Sequence, residues 1–362
     1  MTPLLGARTG IGRLVAGLVD VLQSRKDIAT VPFAMTARDY QTVAPRQRFV
    51  LPARPMRTLW ERVDHPKIER WVGPVDVVHG TNFVVPPAKS PRVVSVHDIT
   101  AVRFPEMCTL DVRRMPTLLR RSLNHGAWVH TDSHFVANEV AETFGVSRER
   151  IRTIYPGLPV DRDALSAAAL APQPFAGRPY VLALGTVEPR KDLPLLVRAF
   201  ADVASAVPEL NLVIAGAEGL GTQALADALA KLPAGLRQRV VREVEVPDSR
   251  RDLLLAHATV VAYPSVYEGF GFPPLEAMVA GRPVVSSNAG SLPEVLGDAA
   301  LLFPSGDEAA LTSALLDVVT NDGLASALIA KGHERAGRYR WETMGVQMAE
   351  FYQHVQQQSR AH

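Results

Sequence analysis

A chain of 362 residues, 47% hydrophobic and 21% charged, has a globular composition and the length of about two domains. Its single cysteine, Cys108, excludes an internal disulfide, and no apolar run reaches the roughly 20 residues that a membrane-spanning helix needs. Net charge is +2, but residues 1–160 carry 22 Lys and Arg against 14 Asp and Glu, whereas the remainder carries 17 against 23. The first half is therefore either a solvated basic surface or a surface that meets an acidic partner.

Predicted helices and strands alternate along the whole chain. A first helix is predicted at 11–23, where apolar side chains recur on one helical face. Eight short runs rich in Val, Ile and Leu are predicted strands: 75–80, 92–98, 128–133, 151–157, 180–186, 211–217, 259–265 and 282–288. Because these runs rarely alternate with polar residues, they are typical of parallel strands covered on both faces by helices, such as those predicted at 192–206 and 249–257.

This order predicts an α/β protein with two doubly wound domains in tandem. The first domain is predicted at 1–160 and the second at 180–337, followed by an amphipathic helix within 338–362. Residues 161–179, rich in proline, alanine and glycine, are predicted to form a linker. Ligands of such sheets bind beyond the carboxyl ends of the strands, so we expect the site in the cleft between the domains.

The segment 267–277, YEGFGFPPLEA, places Glu268 and Glu276 at the two ends of seven uncharged residues. Its two prolines suit the first turn of a helix predicted at about 274–280, with Glu276 in that turn. Its glycines, Gly271 among them, let backbone amides approach an anion at the helix N-terminus. Since carboxylates accept hydrogen bonds from hydroxyls, the segment fits a nucleotide sugar; alternatively, Glu276 is an ordinary charge stabilised by the helix dipole.

A second candidate segment is 185–193, GTVEPRKDL, which follows a predicted buried strand and opens a helix with Asp192 as a candidate cap. Arg190 and Lys191 combine a planar fork with a point charge and can together hold a diphosphate. An Arg-Lys pair is more often a solvated surface feature. Its place directly after a buried strand favours a binding role.

These segments resemble the retaining glycosyltransferases of family 4, which have the GT-B fold. EGFGFPPLE is similar to the two-glutamate motif of that family, and LGTVEPRKDLPLLVRAF is similar to its diphosphate-binding segment. Further similar segments follow in the family's order: HGTNFVVP, SVHDITAVRFPE, TDSHFVANEVAETFGV, RIRTIYPGL and NAGSLPEVLGDAALLFPSGD. The resemblance covers nearly the whole chain. It implies two Rossmann-like domains facing across a cleft, with the helix of 338–362 crossing back to the first domain.

The resemblance also implies a role for each matched position. Arg190 and Lys191 would bind the donor diphosphate and stabilise the leaving group, Glu268 would contact the donor sugar, and Glu276 the ribose. The remaining donor-binding positions would be Gly10 and Gly12 of a glycine loop, Gly185, Val246 near the base, and Phe270 and Gly271. His97 would face the donor sugar from the other domain and complete a catalytic set with Arg190, Lys191 and Glu268.

Some matched features have ordinary alternatives. His97 could be a buried, hydrogen-bonded histidine without a catalytic role. The Asp-X-Asp spacing at 161–163 falls in the predicted linker, and the histidines of 130–134 lack an evident third ligand, so no metal site is expected. Only seven residues precede RTGIGR, whereas family members begin with a full strand. We therefore expect a short or cut first strand, which leaves the geometry of the glycine loop open.

The expected activity is transfer of a hexose, mannose first, in polysaccharide biosynthesis. GDP-mannose or a UDP-hexose would be the donor, and a sugar or lipid-linked glycan the acceptor. The anomeric configuration would be retained, and no cofactor or metal would be needed. A hydrolase or epimerase on the same fold would form product without an acceptor. A degenerate, non-catalytic relative would bind the donor without turnover.

Two observations bear on location. The single cysteine fits a reducing cytoplasm, and the N-terminus, interrupted by glycines and an early arginine, is a poor secretion signal. Residues 111–125 combine four arginines with an apolar stripe, which suits contact with an anionic membrane. The stripe could equally pack on the sheet. The expected place is the cytoplasm, with peripheral contact at the inner face of the cell membrane as an open alternative and no nucleic-acid partner.

Overall fold

Two units, each with its own parallel sheet, make up the chain in a computed structural model that describes residues 10–35, 48–49 and 53–360. The first unit is Met1–Pro159 with Tyr339–His362, and the second is Val160–Arg338. The strands are β1 (Ala34–Met35), β2 (Arg48–Phe49), β3 (Val78–Gly80), β4 (Arg92–Val96), β5 (Trp128–Thr131), β6 (Ile151–Thr153), β7 (Tyr180–Leu184), β8 (Asn211–Ala215), β9 (Val240–Glu243), β10 (Val260–Tyr263), β11 (Val284–Ser287) and β12 (Leu301–Phe303).

The α-helices alternate with these strands. They are α1 (Gly10–Gln23), α2 (Ala53–Trp60), α3 (Glu69–Val72), α4 (Thr100–Arg103), α5 (Leu110–Arg113), α6 (Met115–Asn124), α7 (His134–Phe144), α8 (Arg162–Leu170), α9 (Leu193–Ala206), α10 (Thr222–Lys231), α11 (Ala234–Arg237), α12 (Asp248–His257), α13 (Phe272–Val279), α14 (Leu292–Leu296), α15 (Glu308–Thr320), α16 (Asp322–Ala336) and α17 (Trp341–Arg360).

The first unit contains a parallel sheet in the order β3-β4-β5-β6 and a separate parallel pair, β1-β2. Every residue of β4 is buried, which agrees with the run of apolar residues that predicted the strand. Helix α17, from the C-terminal end of the chain, packs against α1 within this unit. The apolar face predicted for α1 is buried, with Leu14, Val15 and Leu18 inside.

The second unit contains a parallel sheet in the order β12-β11-β10-β7-β8-β9. Counted from the first strand of the unit, this is the Rossmann order, in which the chain reverses its direction of winding between β7 and β10. Most core side chains of the unit come from its central strands and from α9 and α15. A ligand site is therefore expected where the carboxyl ends of β7 and β10 meet.

The prediction of a linker at 161–179 is wrong. Most of that segment forms α8 and a tight turn at Pro174–Gly177, and α8 packs against α12 of the second unit. The Asp161 side chain caps α8 by accepting from the amides of Asp163 and Ala164, both at 3.0 Å. Alanine-rich sequence suggested a linker, but alanine is the strongest helix former, and Leu165 supplies a buried anchor.

Strands β1, β2, β9 and β12 fall outside the predicted strands, and β9 and β12 are edge strands of the six-stranded sheet. Their residues are mostly half-buried, and β9 includes Arg242 and Glu243. A strand covered on fewer sides lacks the continuous apolar run by which the central strands were recognised.

The basic segment 111–125 spans the end of α5 and the whole of α6. Leu118, Leu119 and Leu123 are buried, and α6 packs against β4, so the apolar stripe of this segment faces the sheet. Across the described ranges, no single helix has the length and apolarity of a membrane span, and only the bent pair Glu308–Thr320 and Asp322–Arg360 meets that test jointly.

Candidate active site

The predicted cation pair lies at the carboxyl end of β7, in a 3-10 turn formed by Pro189–Lys191. Asp192 follows in the left-handed conformation and caps α9, accepting weakly from the Leu195 amide at 3.4 Å. The Val266 amide, from the loop after β10, donates to the Arg190 carbonyl at 2.8 Å. This bond ties together the loops that follow β7 and β10, on the two sides of the switch point.

Glu268 lies at the centre of a group that we call the Glu268 cluster: the half-buried Arg190 and the buried Lys191, Tyr263, Ser265 and Glu268. Its Oε1 accepts from Lys191 Nζ at 2.6 Å and from the hydroxyls of Tyr263 and Ser265, both at 2.9 Å. Its Oε2 lies 2.6 Å from Arg190 Nη1. The structure thus brings together three of the four residues predicted to be catalytic.

The charges in this cluster support one another. Burial alone would raise the pKa of Glu268, but the cations of Arg190 and Lys191 lower it to about 2. Burial lowers the pKa of Lys191, an effect that Glu268 opposes. Burial and the neighbouring carboxylate raise the pKa of the Tyr263 phenol, which keeps its proton. The cluster therefore holds a carboxylate, two cations and a neutral hydroxyl.

Arg190 also forms an ion pair with the half-exposed Glu188, at 2.8 Å between Nη2 and Oε2. Both cations are thus compensated by carboxylates of their own unit. An anionic ligand at this position would therefore bind cations that are already paired with Glu268, not uncompensated ones. Glu268, in turn, is occupied by protein donors, and its Oε1 already accepts three hydrogen bonds.

Glu276 lies in a different environment from the one predicted. Helix α13 begins at Phe272, two residues earlier than expected, so Glu276 falls in its second turn rather than its first. The carboxylate is buried and forms an ion pair with Arg251 of α12. Arg251 therefore satisfies the charge of Glu276, and nothing in the sequence pattern had marked that arginine.

The loop between β10 and α13 depends on glycine at two positions. Gly271 caps α13 with φ of +97°, and a Cβ there would lie 2.7 Å from the Leu292 side chain. Gly290, with φ of +60°, lies against the Glu268 backbone, where a Cβ would be 2.4 Å from the Glu268 carbonyl oxygen. The Ser291 amide donates to that oxygen at 3.0 Å, so segment 288–291 supports the backbone of Glu268.

The other predicted donor-binding positions of the second unit lie in loops that follow its strands. Gly185 directly follows β7, and a cavity at the ends of β7 and β10 is lined by Gly185, Lys191 and Tyr263 among others. Phe270 is buried and its ring lies 5.0 Å from that of Phe272. Val246 is half-buried in the loop between β9 and α12.

His97 belongs to the first unit, directly after β4. Its Nδ1 lies 2.6 Å from Asp132 Oδ2, and its Nε2 lies 2.9 Å from the Thr81 carbonyl oxygen. Both partners are acceptors, so both ring nitrogens donate and the ring is an imidazolium. Burial would lower the pKa of His97, but Asp132 raises it to about 8. Both ring nitrogens thus form hydrogen bonds within the protein. The role of His97 towards a donor sugar stays a prediction.

Gly10 and Gly12 lie in the first turn of α1, Gly10 exposed and Gly12 buried. The glycine loop was predicted to contain both residues, but from Gly10 onward the chain is already helical, and residues 8–9 lie outside the described part of the chain. Among the described residues, no group of three or more His, Cys, Asp or Glu side chains is placed to hold a metal ion.

Comparison with known proteins decides the family. The family model described as glycosyltransferase family 4 matches residues 8–162, and the one described as glycosyl transferases group 1 matches residues 171–335. The O-antigen chain mannosyltransferase B of Escherichia coli is 32% identical over 301 residues, covering 80% of this chain and 78% of its own. The chain belongs to glycosyltransferase family 4.

Solved structures support the fold of this glycosyltransferase. WaaG, a glycosyltransferase involved in lipopolysaccharide biosynthesis, superposes with a TM-score of 0.70 at 17% identity, covering 95% of this chain and 96% of its own. Anabaena Alr3699/HepE, crystallised with UDP and glucose, gives a TM-score of 0.64 at 21% identity over 83% of this chain and 80% of its own. The fold is GT-B, with a Rossmann-like sheet in each unit, as predicted.

Sequence reasoning identified Arg190, Lys191 and Glu268 but missed Tyr263, Ser265 and Arg251. Tyr263 ends strand β10 and Ser265 follows it, where a polar side chain after an apolar run could have signalled both. Arg251 stands in a helix with several charged residues, so its partner could be recognised only in three dimensions.

Proposed function

We propose that this glycosyltransferase moves a hexose, with mannose as the first candidate, from a nucleotide-sugar donor to a sugar or lipid-linked glycan acceptor. The observation that carries the proposal is the Glu268 cluster at the switch point of the second sheet. There, two cations and a carboxylate meet at the position where Rossmann-like sheets bind nucleotides. The relatedness to a mannosyltransferase supports mannose over other hexoses.

The chemistry requires stabilisation of a departing diphosphate. When the bond between the anomeric carbon and the phosphate oxygen breaks, the leaving group gains negative charge and the sugar becomes oxocarbenium-like. Lys191 opposes that charge from a buried position and Arg190 from a half-buried one, where electrostatic stabilisation is stronger than in water. Glu268 keeps both cations in place before the donor arrives and offers its carboxylate to the sugar hydroxyls.

The proposal includes retention of the anomeric configuration. The acceptor hydroxyl would attack from the face that the diphosphate leaves, and a leaving-group phosphate oxygen would take the proton. The family resemblance supports this course. NMR of the first product formed from an α-linked donor tests it: an α-glycoside is expected, and a β-glycoside would exclude retention.

A donor screen tests the function itself. We expect one GDP- or UDP-sugar to raise the thermal unfolding midpoint, because a ligand at 100 times its dissociation constant stabilises by about 2.7 kcal/mol. The selected donor is then incubated with and without a panel of glycan and lipid-linked acceptors. Product without any acceptor would favour a hydrolase or epimerase, and donor binding without turnover across the panel would favour a non-catalytic protein.

A lipid-linked acceptor would require contact with a membrane, and we propose that this enzyme works in the cytoplasm, at the inner face of the cell membrane. On α5, Leu110 is 77% and Val112 is 40% exposed, and Arg113 and Arg114 are exposed beside them. Apolar side chains flanked by arginines suit the surface of an anionic bilayer. This face, rather than the buried stripe of α6, is the candidate contact.

Flotation with phosphatidylglycerol vesicles tests the contact. The double variant Arg113→Ser/Arg114→Ser should lose binding at low salt, whereas Arg162→Ser/Lys231→Ser, the same charge change at exposed positions of the second unit, should retain it. Absence of wild-type binding at low salt would exclude a membrane face.

A further inference from the structure

Tyr263 occupies a position in the Glu268 cluster to which neither the motif nor the family resemblance gives a role. It is the last residue of β10 and is 2% exposed. Its hydroxyl contacts Lys191 Nζ and lies 2.9 Å from Glu268 Oε1, and the ammonium lies 4.2 Å from the centroid of its ring. One side chain thus touches both the predicted diphosphate-binding lysine and the carboxylate that pairs with it.

The direction of these hydrogen bonds follows from the groups involved. A lysine ammonium has only donors, and an ionised carboxylate has only acceptors. The Tyr263 hydroxyl must therefore accept from Lys191 and donate to Glu268 Oε1. Because Lys191 also donates to Glu268 Oε1, the three groups form a closed triangle.

An ammonium has three N–H groups arranged around one axis. Two of them are directed by Tyr263 and Glu268, and this sets the direction of the third. Within the described ranges, the third N–H of Lys191 has no hydrogen-bond partner. We propose that Tyr263 is a positioning residue whose hydroxyl aims this remaining N–H at the donor diphosphate. The inference rests on the proposed function of Lys191.

The charged surroundings of Lys191 explain why one hydroxyl matters. Lys191 is 8% exposed, and its ammonium faces Glu268 and Tyr263 across the switch point, and Arg190 and Glu188 from its own turn. With Glu268 as the only acceptor, the side-chain torsions of Lys191, and so the position of its ammonium, would be less restrained than with two acceptors. Without the hydroxyl, a buried N–H also loses its acceptor, which disfavours the charged form. Loss of the hydroxyl should therefore weaken diphosphate binding most at alkaline pH.

The test compares Tyr263→Phe, which keeps the ring, with two controls. Tyr180→Phe removes another buried hydroxyl of the same unit, one that donates to the Leu254 carbonyl at 2.7 Å. Ser265→Ala removes the other hydroxyl that Glu268 Oε1 accepts at 2.9 Å but leaves Lys191 its partners. Calorimetry with GDP and with UDP measures the dissociation constant from about pH 7 to about pH 10, the range that reaches lysine titration.

We expect Tyr263→Phe to bind the preferred diphosphate about tenfold more weakly at pH 7, in line with a lost hydrogen bond to a charged group. Its loss of affinity should begin at lower pH than in the wild type. The direction of this shift follows from Lys191. Only its protonated amine binds the diphosphate, so a lower pKa of Lys191 ends that binding at a lower pH. Neither control should shift the pH at which affinity for the diphosphate begins to fall in the alkaline range.

Three outcomes oppose the inference in distinguishable ways. The inference would be overturned, and the proposed function left standing, if Tyr263→Phe kept the affinity of the wild type and its dependence on alkaline pH while Lys191→Ala lost binding. Binding of neither diphosphate by the wild type would overturn both. Should Tyr263→Phe not fold, Lys191→Arg keeps the charge but not the geometry of the triangle. Undiminished binding by that variant would overturn the inference, and at least tenfold weaker binding would support it.

Discussion

Replacing Glu268 by glutamine removes the carboxylate charge that Arg190 and Lys191 share. The pKa of Glu268 is about 2, against an ordinary value of 4.5. A pKa difference of 1 corresponds to about 1.4 kcal/mol, so the lowered pKa of the ionised side chain contributes about 3 kcal/mol to the free energy of unfolding at neutral pH. Removing one partner of a buried ion pair costs a similar amount, about 3 to 5 kcal/mol. We expect Glu268→Gln to destabilise the second unit by about 3 kcal/mol.

The distribution of tryptophan allows the two units to be followed separately. Trp60, Trp71, Trp128 and Trp341 are the tryptophans of the chain, and all belong to the first unit. In urea titrations, fluorescence therefore reports the first unit and far-UV circular dichroism reports both. The circular-dichroism transition of Glu268→Gln should move to lower urea while the fluorescence transition stays near that of the wild type.

A matched control is Glu188→Gln, which removes a carboxylate from the same arginine at 2.8 Å but from a position 39% exposed. An exposed pair contributes at most about 1 kcal/mol, so this variant should be close to wild type. The dependence on pH gives a second check. Because folding depresses the pKa of Glu268, its contribution is present above about pH 4.5 and is lost as pH falls towards 2.

The difference between wild type and Glu268→Gln should accordingly shrink over that interval. A loss below about 1 kcal/mol at neutral pH, or a loss that persists unchanged near pH 2, would refute the assignment of Glu268 as a charged acceptor for Arg190 and Lys191. If the variant binds GDP or UDP, its gain in unfolding midpoint should exceed that of the wild type, because the cations are then uncompensated.

Three further predictions concern single side chains. Lys191→Ala should lower turnover by orders of magnitude while the circular-dichroism spectrum stays native, and near-normal transfer would remove its leaving-group role. NMR titration of His97 should give a pKa of about 8, and Asp132→Asn should bring it below the ordinary value of 6.5 because burial remains; stabilisation from His97 is present below about pH 6.5 and lost as pH rises through 8. Arg251→Ala should destabilise the second unit by about 3 to 5 kcal/mol in urea titrations, because it removes the ion-pair partner of the buried Glu276 carboxylate, and adding Glu276→Gln should recover part of the loss.

Much of the fold was accessible from local pattern. Strands buried on both faces give continuous apolar runs, so the inner strands of both sheets were placed within a few residues. The edge strands β9 and β12 lack that signal, and α8 was mistaken for a linker because its alanines provide helix propensity without an apolar stripe.

The sequence by itself determined the family, the parallel α/β architecture and the choice of Arg190, Lys191 and Glu268 as site residues. Each of these follows from motifs or apolar runs of contiguous residues. Only the tertiary structure decided what those side chains touch. Tyr263 and Ser265 meet Glu268 through a short turn, but Lys191 joins them across 77 residues of chain, and Arg251 meets Glu276 across 25. Such partners are selected by the pairing of β7 with β10 and by the packing of α12 on α13, since charge and burial act through space and leave no local spacing to read.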